Sequence, residues 1–368
     1  MWKYGRQWLT GAGAMQFIYT NNLMRMRGKR EKEFMGRRLI DADEGAHEIG
    51  TASNWNESRY VDFRDRERRI GGWYRIGNRP NEGYAEMSSC TYLPDGSVAF
   101  MFGRPTITKN ELHAAGQSWE IVSPWKHTRV TYEGEVMILQ SPWALLNPKQ
   151  AFSTAPRTRA KIELDVMAFG LDSVMGQETD QVHLIFVPGQ CDYHYQHLVR
   201  TTGTITVGDQ TWKIDGRGGK DHSWGPRNWH AKIYLRWLIA SFDDDHGFML
   251  VRTVGPTKKT RSGFVWHGGK FRIVDDFEMK NTYAGEPNYE PLKFDVNIKA
   301  GDLNWKATGT PFVWHPVRHR HKDEKGEEKI LRMIKSPVEW TDDKGRKGVG
   351  STEIQDLLVD GKPYGLAD

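Results

Sequence analysis

The chain has 368 residues and a mass of 42.4 kDa, and its 38% hydrophobic and 27% charged residues allow a packed core, which excludes a wholly disordered chain. Nine basic and two acidic residues fall among residues 1–40, so the formal net charge of +5 leaves −2 for the remainder, and no nucleic acid is expected as a partner. Two cysteines are too few for a disulfide framework or a cysteine zinc site, and no apolar run approaches the ~18 residues of a membrane-spanning helix.

The first 45 residues are predicted to form a basic N-terminal arm. Its densest charge run, 25–32, is either solvated or binds an anionic membrane surface, and both alternatives stay open. The first twenty residues lack the continuous apolar stretch of a signal peptide, which favours a cytoplasmic protein, with membrane association through residues 1–40 as the alternative. Methionines recur at positions 15, 24, 26 and 35, so we expect the functional start to lie after Met1.

After about residue 50, short alternating segments separated by turn residues predict β-strands. Two hairpins are expected, one around Glu133-Gly134 and one around Gly208-Asp209. Helical periodicity is weak and is confined to 23–34 and to a turn near 111–115. The predicted strands, in chain order, are 97–102, 129–132, 136–139, 161–169, the short apolar run 182–187, 202–207, 211–214, 231–242, 248–254, 263–267, 270–274, 292–298, 302–308, 312–317, 330–335 and 349–357.

Turn residues recur roughly every 8–12 positions, which is typical of an all-β sandwich or barrel. No βαβ alternation is present, so a parallel nucleotide-binding sheet is not expected. The halves on either side of 200–202 have a similar rhythm, which suits two related barrels. The phosphate-loop, GxGxxG, GxSxG and HExxH motifs are missing, which disfavours NTP hydrolysis, dehydrogenase, α/β-hydrolase and zinc-protease chemistry.

The densest motif spans residues 216–229, where four glycines accompany an Asp-His pair, two tryptophans and an arginine. Asp221 could act as a general acid with His222 as its orienting partner, and Arg227 could hold a carboxylate or polarise an oxygen. The tryptophans could wall an apolar cavity. The alternative is a structural corner in which Asp221 caps backbone amides and Trp224 fills the core.

The sequence Asp-His-Ser-Trp-Gly-Pro-Arg at 221–227 resembles the signature of the carotenoid 1,2-hydratase (hydroxyneurosporene synthase) and AttH-like superfamily. The segments 71–84 and 194–197 are similar to a bacterial branch of that superfamily. The resemblance implies an all-β fold of two lipocalin-like (calycin-like) antiparallel β-barrel domains, which we place at 46–201 and 202–368. It also implies a lyase or isomerase that needs no cofactor and no metal and acts on an apolar substrate.

On this basis the candidate catalytic residues lie in two segments. Asp221 is the predicted acid, because a buried carboxyl can stay protonated at neutral pH, and His222, Tyr195 and His197 are the predicted supporting groups. His194 is expected to be a structural histidine. A metal clamp by His194 and His197 is not expected, because the two point to opposite faces of a strand.

The predicted substrate-binding residues lie on aromatic and charged faces. Along the strand 231–242, Lys232, Tyr234 and Arg236 share a face that either lines the pocket or meets solvent. We expect Tyr234 and Arg236 in the pocket and Lys232 in solvent. A second predicted strand, in the segment 82–86, would carry two glutamates on one face. Their carboxylates could divide acid and base catalysis, or this segment could be an exposed turn and edge strand. The predicted substrate-binding set is Glu82, Tyr84, Glu86, Trp224, Arg227, Trp229, Tyr234, Arg236 and Trp237.

Two functions fit this sequence. The first is a cofactor-independent hydratase, dehydratase or isomerase that acts by acid–base chemistry on a hydrophobic, alkene-bearing small molecule such as a terpenoid, a steroid or an aromatic compound. The second is a non-catalytic carrier of lipids or other apolar metabolites, because the same fold supports both. Association into an oligomer stays open.

Overall fold

The computed structural model describes residues 36–322 and 326–367, and the described residues form two large antiparallel sheets. The predicted helix at 23–34 and the charge run at 25–32 lie outside these residues. The strands of the first sheet are β1 (Trp55–Asp65), β2 (Ile70–Arg79), β3 (Tyr84–Tyr92), β4 (Val98–Gly103), β5 (His113–Ala114), β6 (Gln117–Ser123), β7 (His127–Leu139), β8 (Arg157–Ala168), β9 (Tyr193–Val207) and β10 (Gln210–Pro226).

The first sheet closes on itself. Its strand order is β4-β3-β2-β1-β10-β9-β8-β7-β6-β5, and a further pairing of β4 with β7 joins the ends of eight of these strands into a ring. Phe100 pairs with Met137 at this seam. Inward-facing residues alternate along each strand and fill the interior with aliphatic and aromatic side chains, as in a small closed barrel.

The second sheet follows the first in the chain, and its order is β14-β13-β12-β11-β20-β19-β17-β16-β15, with β18 beside β19 and β21 beside β20. Trp305, Trp340 and Phe248 lie at the centre of its own core. Its strands are β11 (Tyr234–Ser241), β12 (His246–Val254), β13 (Lys259–His267), β14 (Phe271–Ile273), β15 (Asp276–Tyr283), β16 (Pro291–Ala300), β17 (Leu303–Pro311), β18 (His315–Lys322), β19 (Glu328–Asp342), β20 (Lys347–Val359) and β21 (Lys362–Pro363).

Helices are short connections between the strands. The α-helices are α1 (Pro148–Thr154) and α2 (Val182–Ile185), and Asn147 caps α1 by accepting a hydrogen bond from the Gln150 amide at 3.5 Å. Across the described ranges, no helix has both the length and the apolar character needed to cross a membrane. The 3₁₀ turns are Asp41–Glu44, Pro80–Glu82, Pro142–Leu146, Leu171–Ser173, Thr179–Gln181, Trp229–Ala231 and Tyr364–Ala367.

A third core cluster packs the two sheets together. Tyr60, Trp73 and Leu198 from the first sheet contact Leu235 and Trp237 from the second. The Ser351 hydroxyl of β20 also donates a hydrogen bond to the Asp62 carboxyl of β1. The sheets therefore share an interface that is apolar over most of its area and polar where β1 meets β20.

The all-β, lipocalin-like prediction is confirmed. The predicted hairpin around Gly208-Asp209 is confirmed too, since Val207 pairs with Gln210. The hairpin predicted around Glu133-Gly134 is wrong, because β7 pairs with β8 without interruption from His127 to Met137.

Two further expectations are corrected. The apolar run 182–187 begins with helix α2, in which Val182 and Ile185, three positions apart, are both buried on one side. The expected turn near 111–115 contains the short strand β5. In both places a short apolar or polar run does not by itself distinguish a strand from a turn of helix.

The residues 39–368 form one compact unit, which includes residues that the sequence assigns to the arm 1–45. The chain passes from the first sheet to the second between Pro226 and Tyr234, whereas position 201/202 lies inside β9. The assignment of separate domains 46–201 and 202–368 stays a prediction.

Gly350 lies where β20 runs between β11 and β19, and a Cβ atom there would lie 1.9 Å from the Ile239 carbonyl oxygen. We expect Gly350→Ala to lower the free energy of unfolding in urea by roughly 1–3 kcal/mol, because the strands must move apart. Gly285→Ala is the control, since a Cβ there meets no atom within 4 Å. Equal stabilities of the two variants would contradict the close approach of β20 to β11.

Candidate active site

A cavity of about 860 Å³ lies between the two sheets. The first sheet contributes residues of β1, β2, β3, β9 and β10 to its wall, and the second contributes residues of β11, β18, β19 and β20. This volume is in the range of small-molecule sites. Apolar side chains that line it are Tyr60, Trp73, Phe100, Phe102, Leu145, Phe152, Phe186, Trp229, Leu235, Trp237, Val317 and Met333.

Five of these residues form a connected aromatic wall. The ring centroids of Tyr60 and Trp73 are 6.2 Å apart, and those of Tyr60 and Trp237 are 5.5 Å apart. Phe100 lies 6.2 Å from Trp73 and 6.4 Å from Phe152. We call Tyr60, Trp73, Phe100, Phe152 and Trp237 the aromatic wall. Such faces bind apolar carbon skeletons and stabilise nearby positive charge through the ring quadrupole.

Asp221 lies in the cavity wall, where β10 pairs with its neighbours. It lies opposite Gln196 on β9 and Tyr60 on β1. Within the described part of the chain its carboxyl group has no hydrogen-bond partner. Burial, assisted by the negative charge of Glu353 and opposed by Arg227, raises the pKa of Asp221 to about 7. A large fraction of Asp221 is therefore protonated at neutral pH.

The charge next to Asp221 comes from an ion pair of the second sheet. Lys335 of β19 donates a hydrogen bond to Glu353 of β20. Burial opposes ionisation of Glu353, but the charge and hydrogen bond of Lys335 outweigh it and lower the pKa of Glu353. The Lys335 Nζ atom lies 4.2 Å from the Tyr60 ring centroid and 4.9 Å from that of Trp73. This pair fixes one negative and one positive charge beside the aromatic wall.

A second group of cavity residues surrounds Trp229. Arg75, Arg227 and Lys232 place their charged groups 5.5, 5.4 and 5.2 Å from the Trp229 ring centroid. His319 stacks on the same ring with a centroid distance of 4.1 Å. Burial lowers the pKa of His319 to about 3, so this imidazole is neutral. We call these five residues the Trp229 cluster.

The opposite face of β9 and β10 carries a separate polar network centred on Glu57. The Glu57 Oε1 atom accepts hydrogen bonds from His222 Nε2 at 2.6 Å, from His47 Nδ1 at 2.9 Å and from Arg59 at 2.9 Å. Burial lowers the pKa of His222 to about 4, so the imidazole is neutral and Nε2 carries the proton. Lys220 and Glu44 form an ion pair at 2.8 Å beside it.

One group in the described ranges brings three metal-ligand atoms within 4.8 Å of one another: His47, Glu57 and His222. Hydrogen bonds already satisfy the atoms that would face an ion, and Arg59 brings a positive charge to the same carboxylate oxygen. A cation would have to displace Arg59 and two N–H donors. We therefore treat the Glu57 network as a hydrogen-bonded support of the strands.

The predicted catalytic residues separate between these two faces because successive residues of a strand point to opposite sides. Asp221 lines the cavity, whereas His222, Tyr195 and His197 do not. Tyr195 donates to Glu44, and His197 is hydrogen-bonded to Ser173 at 2.9 Å. The structure thus corrects their expected location, since His222 lies back to back with the acid that it was expected to orient.

Among the predicted substrate-binding residues, Trp224 also lies on the network side. Its ring stacks between His47 and Tyr193, at centroid distances of 4.0 and 5.1 Å. Six members of the set do line the cavity, while their individual roles stay predictions. They are Glu82, Tyr84, Glu86, Arg227, Trp229 and Trp237.

The predicted pocket face of β11 is corrected. Leu235 and Trp237 line the cavity, while Tyr234 and Arg236 face the other side of the sheet. Arg236 is buried there in an ion pair with Asp356 at 2.9 Å and donates to the Gly365 carbonyl at 2.8 Å. The C-terminal turn therefore supplies an acceptor to the guanidinium, which sequence periodicity could not show.

Several cavity residues escaped the sequence prediction. Lys232, expected in solvent, is buried and lines the cavity. His194 lines it too, and its ring nitrogens have no hydrogen-bond partner among the residues that the structure describes. The pairing of His194 with Ser223 and of Gln196 with Asp221 could have been found by extending the hairpin register back from Gly208. The sequence could not place Lys335 and Glu353 at the cavity, because they lie on strands β19 and β20, far from the motif in the chain.

A family model described as "Domain of unknown function (DUF7064)" matches residues 41–357. No curated protein sequence matches the chain. The fold is similar to a protein described as AttH from Nitrosomonas europaea, with a TM-score of 0.52, 11% identity and coverage of 88% of this chain and 99% of the other.

Two other solved structures are similar to this chain. CghA with Sch210972 has a TM-score of 0.56, 11% identity, and coverage of 89% of this chain and 96% of the other. Kievitone hydratase from Nectria haematococca has a TM-score of 0.47, 11% identity, and coverage of 88% and 98%. At 11% identity, the similarities to AttH and CghA establish a shared fold only. The reaction has to be inferred from the residues of the cavity.

Proposed function

The chain belongs to the DUF7064 family, and from that premise we propose that its cavity hosts an acid-catalysed reaction on a hydrophobic, alkene-bearing small molecule. The reaction is the addition or removal of water, or the movement of a double bond, and it needs no cofactor. Terpenoid, steroid and aromatic skeletons are the substrate classes that suit the aromatic wall. The likeness to CghA, whose structure contains Sch210972, supports the use of this fold to hold a small organic molecule.

The observation that carries the proposal is the state of Asp221. It is a carboxyl group in the wall of a largely apolar cavity, it has no hydrogen-bond partner within the described ranges, and its pKa is raised to about 7. A structural aspartate normally accepts hydrogen bonds when it is buried. A protonated carboxyl group that has no hydrogen-bond acceptor among the described residues can donate its proton to a ligand.

In hydration, the Asp221 O–H bond breaks and a new C–H bond forms at one alkene carbon. The positive charge that develops on the other carbon faces the aromatic wall, where Trp237 offers a ring. Water then adds its oxygen to that carbon and returns a proton to the Asp221 carboxylate, which restores the acid. Dehydration follows the same steps in reverse, and isomerisation results when Asp221 takes back a proton from a different carbon.

The charged neighbours of Asp221 suit this cycle. Glu353 raises the pKa of the acid before the proton leaves, while Arg227 and Lys335 stabilise the carboxylate after it has left. His222, Tyr195 and His197 take no direct part in this scheme, because their contacts lie on the far side of β9 and β10. They support the strand that holds Asp221.

Native mass spectrometry and organic extraction of the purified protein, with wild type beside Asp221→Asn, test the proposal. We expect an alkene-bearing or hydroxylated apolar compound that stays unconverted in Asp221→Asn and is converted by the wild type. The Asn side chain cannot donate a carboxylic proton, yet it fills the same space. Equal retention of one unchanged compound by both proteins would instead identify a carrier.

A further inference from the structure

We propose that the substrate is an amphiphilic acid, whose carboxylate binds between Arg227 and Lys232 while its apolar body extends along the aromatic wall. This inference rests on the proposed function and names the chemical class of its substrate. It follows from the Trp229 cluster, which the acid–base scheme does not use.

Lys232 is buried and Arg227 is half-buried, and among the described residues neither forms an ion pair with a carboxylate. Arg227 donates one hydrogen bond, to the Ser223 hydroxyl, and its Nε group has no acceptor. The ammonium group of Lys232 has one weak contact, 3.4 Å from the Trp229 carbonyl oxygen. Isolated charges inside a protein are costly unless an anion neutralises them. An anion carried by a ligand in the open cavity would offset this cost.

Two neighbouring arginines complete the donor set. Arg75 pairs with Glu86, which also pairs with Arg104, and Arg79 pairs with Glu82. Each nevertheless keeps one buried nitrogen without an acceptor, Nη2 of Arg75 and Nη1 of Arg79. Within the described part of the chain, Arg227 and Lys232 thus lack an ion-pair partner, while the number of free donors in the cluster is larger.

A carboxylate matches this arrangement better than a neutral hydroxyl group. It offers two oxygens with about four acceptor positions, and the planar guanidinium of Arg227 can bind both oxygens in parallel. Burial, together with the positive charge of Arg227, lowers the pKa of Lys232 to about 7, and a bound anion would return it to the charged form. The charges of Arg227 and Arg75 also act on Asp221. A substrate whose carboxylate is bound here would therefore place its carbon chain near the Asp221 carboxyl group.

The test is a calorimetric comparison of dodecanoate, 1-dodecanol and dodecyl phosphate, three probes with the same chain and different head groups. In wild type we expect dodecanoate to bind at least about tenfold more tightly than 1-dodecanol, because charge-assisted hydrogen bonds form only with the acid. Arg227→Gln and Lys232→Gln should each weaken dodecanoate about tenfold or more and change 1-dodecanol less than about twofold. Arg129→Gln, an exposed arginine outside the cavity, should change neither.

Equal affinities for acid and alcohol in wild type, or equal losses for both probes in the two variants, would overturn the inference. A preference for dodecyl phosphate over dodecanoate would also overturn it, in favour of a phosphate ligand. If Arg227→Gln does not fold, Lys232→Gln alone decides. Binding needs no turnover, so the same comparison in Asp221→Asn separates this inference from the proposed reaction, which fails if Asp221→Asn keeps full conversion or if neither protein converts the compound.

Discussion

Asp221→Asn is expected to lower the turnover of the cavity's substrate by roughly 10²–10⁴-fold, the range over which a positioned general acid accelerates a reaction. Ligand affinity should change little, because the amide keeps the shape of the carboxyl. The measurement is the rate of product formation at saturating substrate concentration, with the product detected by chromatography. Asp215→Asn is the control on the same strand, since Asp215 is exposed and pairs with Arg200 at 2.8 Å.

The pH dependence of the reaction follows from the protonated state of Asp221. With a pKa of about 7, the acid form dominates below about pH 6 and falls tenfold per pH unit above about pH 8. Turnover should follow that curve. Lys232 titrates in the same range, because burial lowers its pKa to about 7, so the profile is also measured in Lys232→Gln. A profile that is flat from pH 6 to pH 9 in both proteins would contradict Asp221 as the acid.

The same titration has a consequence for stability that needs no substrate. The folded chain keeps the Asp221 proton up to about pH 7, whereas the unfolded chain releases it near 3.8. Wild type therefore loses stability relative to Asp221→Asn as the pH rises from about 4 to 7, by at most about 4 kcal/mol. Urea unfolding at pH 4 and pH 8 measures this difference, and a constant gap between the two proteins would show that the carboxyl is not perturbed.

Glu57→Gln is expected to have the largest effect on stability, a loss of roughly 3–5 kcal/mol in the free energy of unfolding. An amide oxygen accepts weaker hydrogen bonds than a carboxylate, so Arg59 would keep a buried charge without its counter-ion, and His47 and His222 would share a weaker acceptor. Despite burial, hydrogen bonds from His222 and His47 hold the pKa of Glu57 well below its usual range. The stabilisation is thus present above about pH 4.5 and is lost in more acidic solution.

Chemical denaturation followed by circular dichroism measures this loss, with Glu120→Gln as the control. Glu120 pairs with Arg129 on the surface, where ion pairs contribute roughly 0–1 kcal/mol. If Glu57→Gln were as stable as Glu120→Gln, the network would not support the strands. If Glu57→Gln stayed folded but lost conversion while it still bound the ligand, His222 would act in catalysis, as its place in the motif predicts.

The sequence was sufficient for the fold class because period-two patterns and turn residues are local properties of the chain. They predicted the hairpin at Gly208-Asp209, whose two strands pair from Val207 and Gln210 onwards. They failed for β7, where Glu133-Gly134 resembles a turn but the strand continues because β8 provides partners on both sides of it. Long-range pairing decided that case, and it leaves no local trace.

The sequence predicted part of the site, since Asp221 and six of the nine predicted substrate-binding residues line the cavity. Asp221, Arg227 and Trp229 line the cavity as expected, because Gly and Pro residues shape the chain tightly there. The face of β11 was assigned to the wrong side, because the sequence shows two alternating sets but not which one meets the other sheet. Arg236 looked like a pocket residue, and only its distant partner Asp356 explains why it is not one.

The segment 39–47 covers the Glu57 network, and its contacts determine where a shortened chain can begin. At its start, the Leu39 amide donates a hydrogen bond to the Gln177 carbonyl at 2.9 Å. Further along, Glu44 forms an ion pair with Lys220, and the His47 ring stacks on Trp224. An expression clone that began at residue 46 would delete the counter-ion of a buried lysine, and one that began after residue 47 would also uncover a tryptophan. A shortened protein for crystallisation or cavity engineering should therefore start before Leu39.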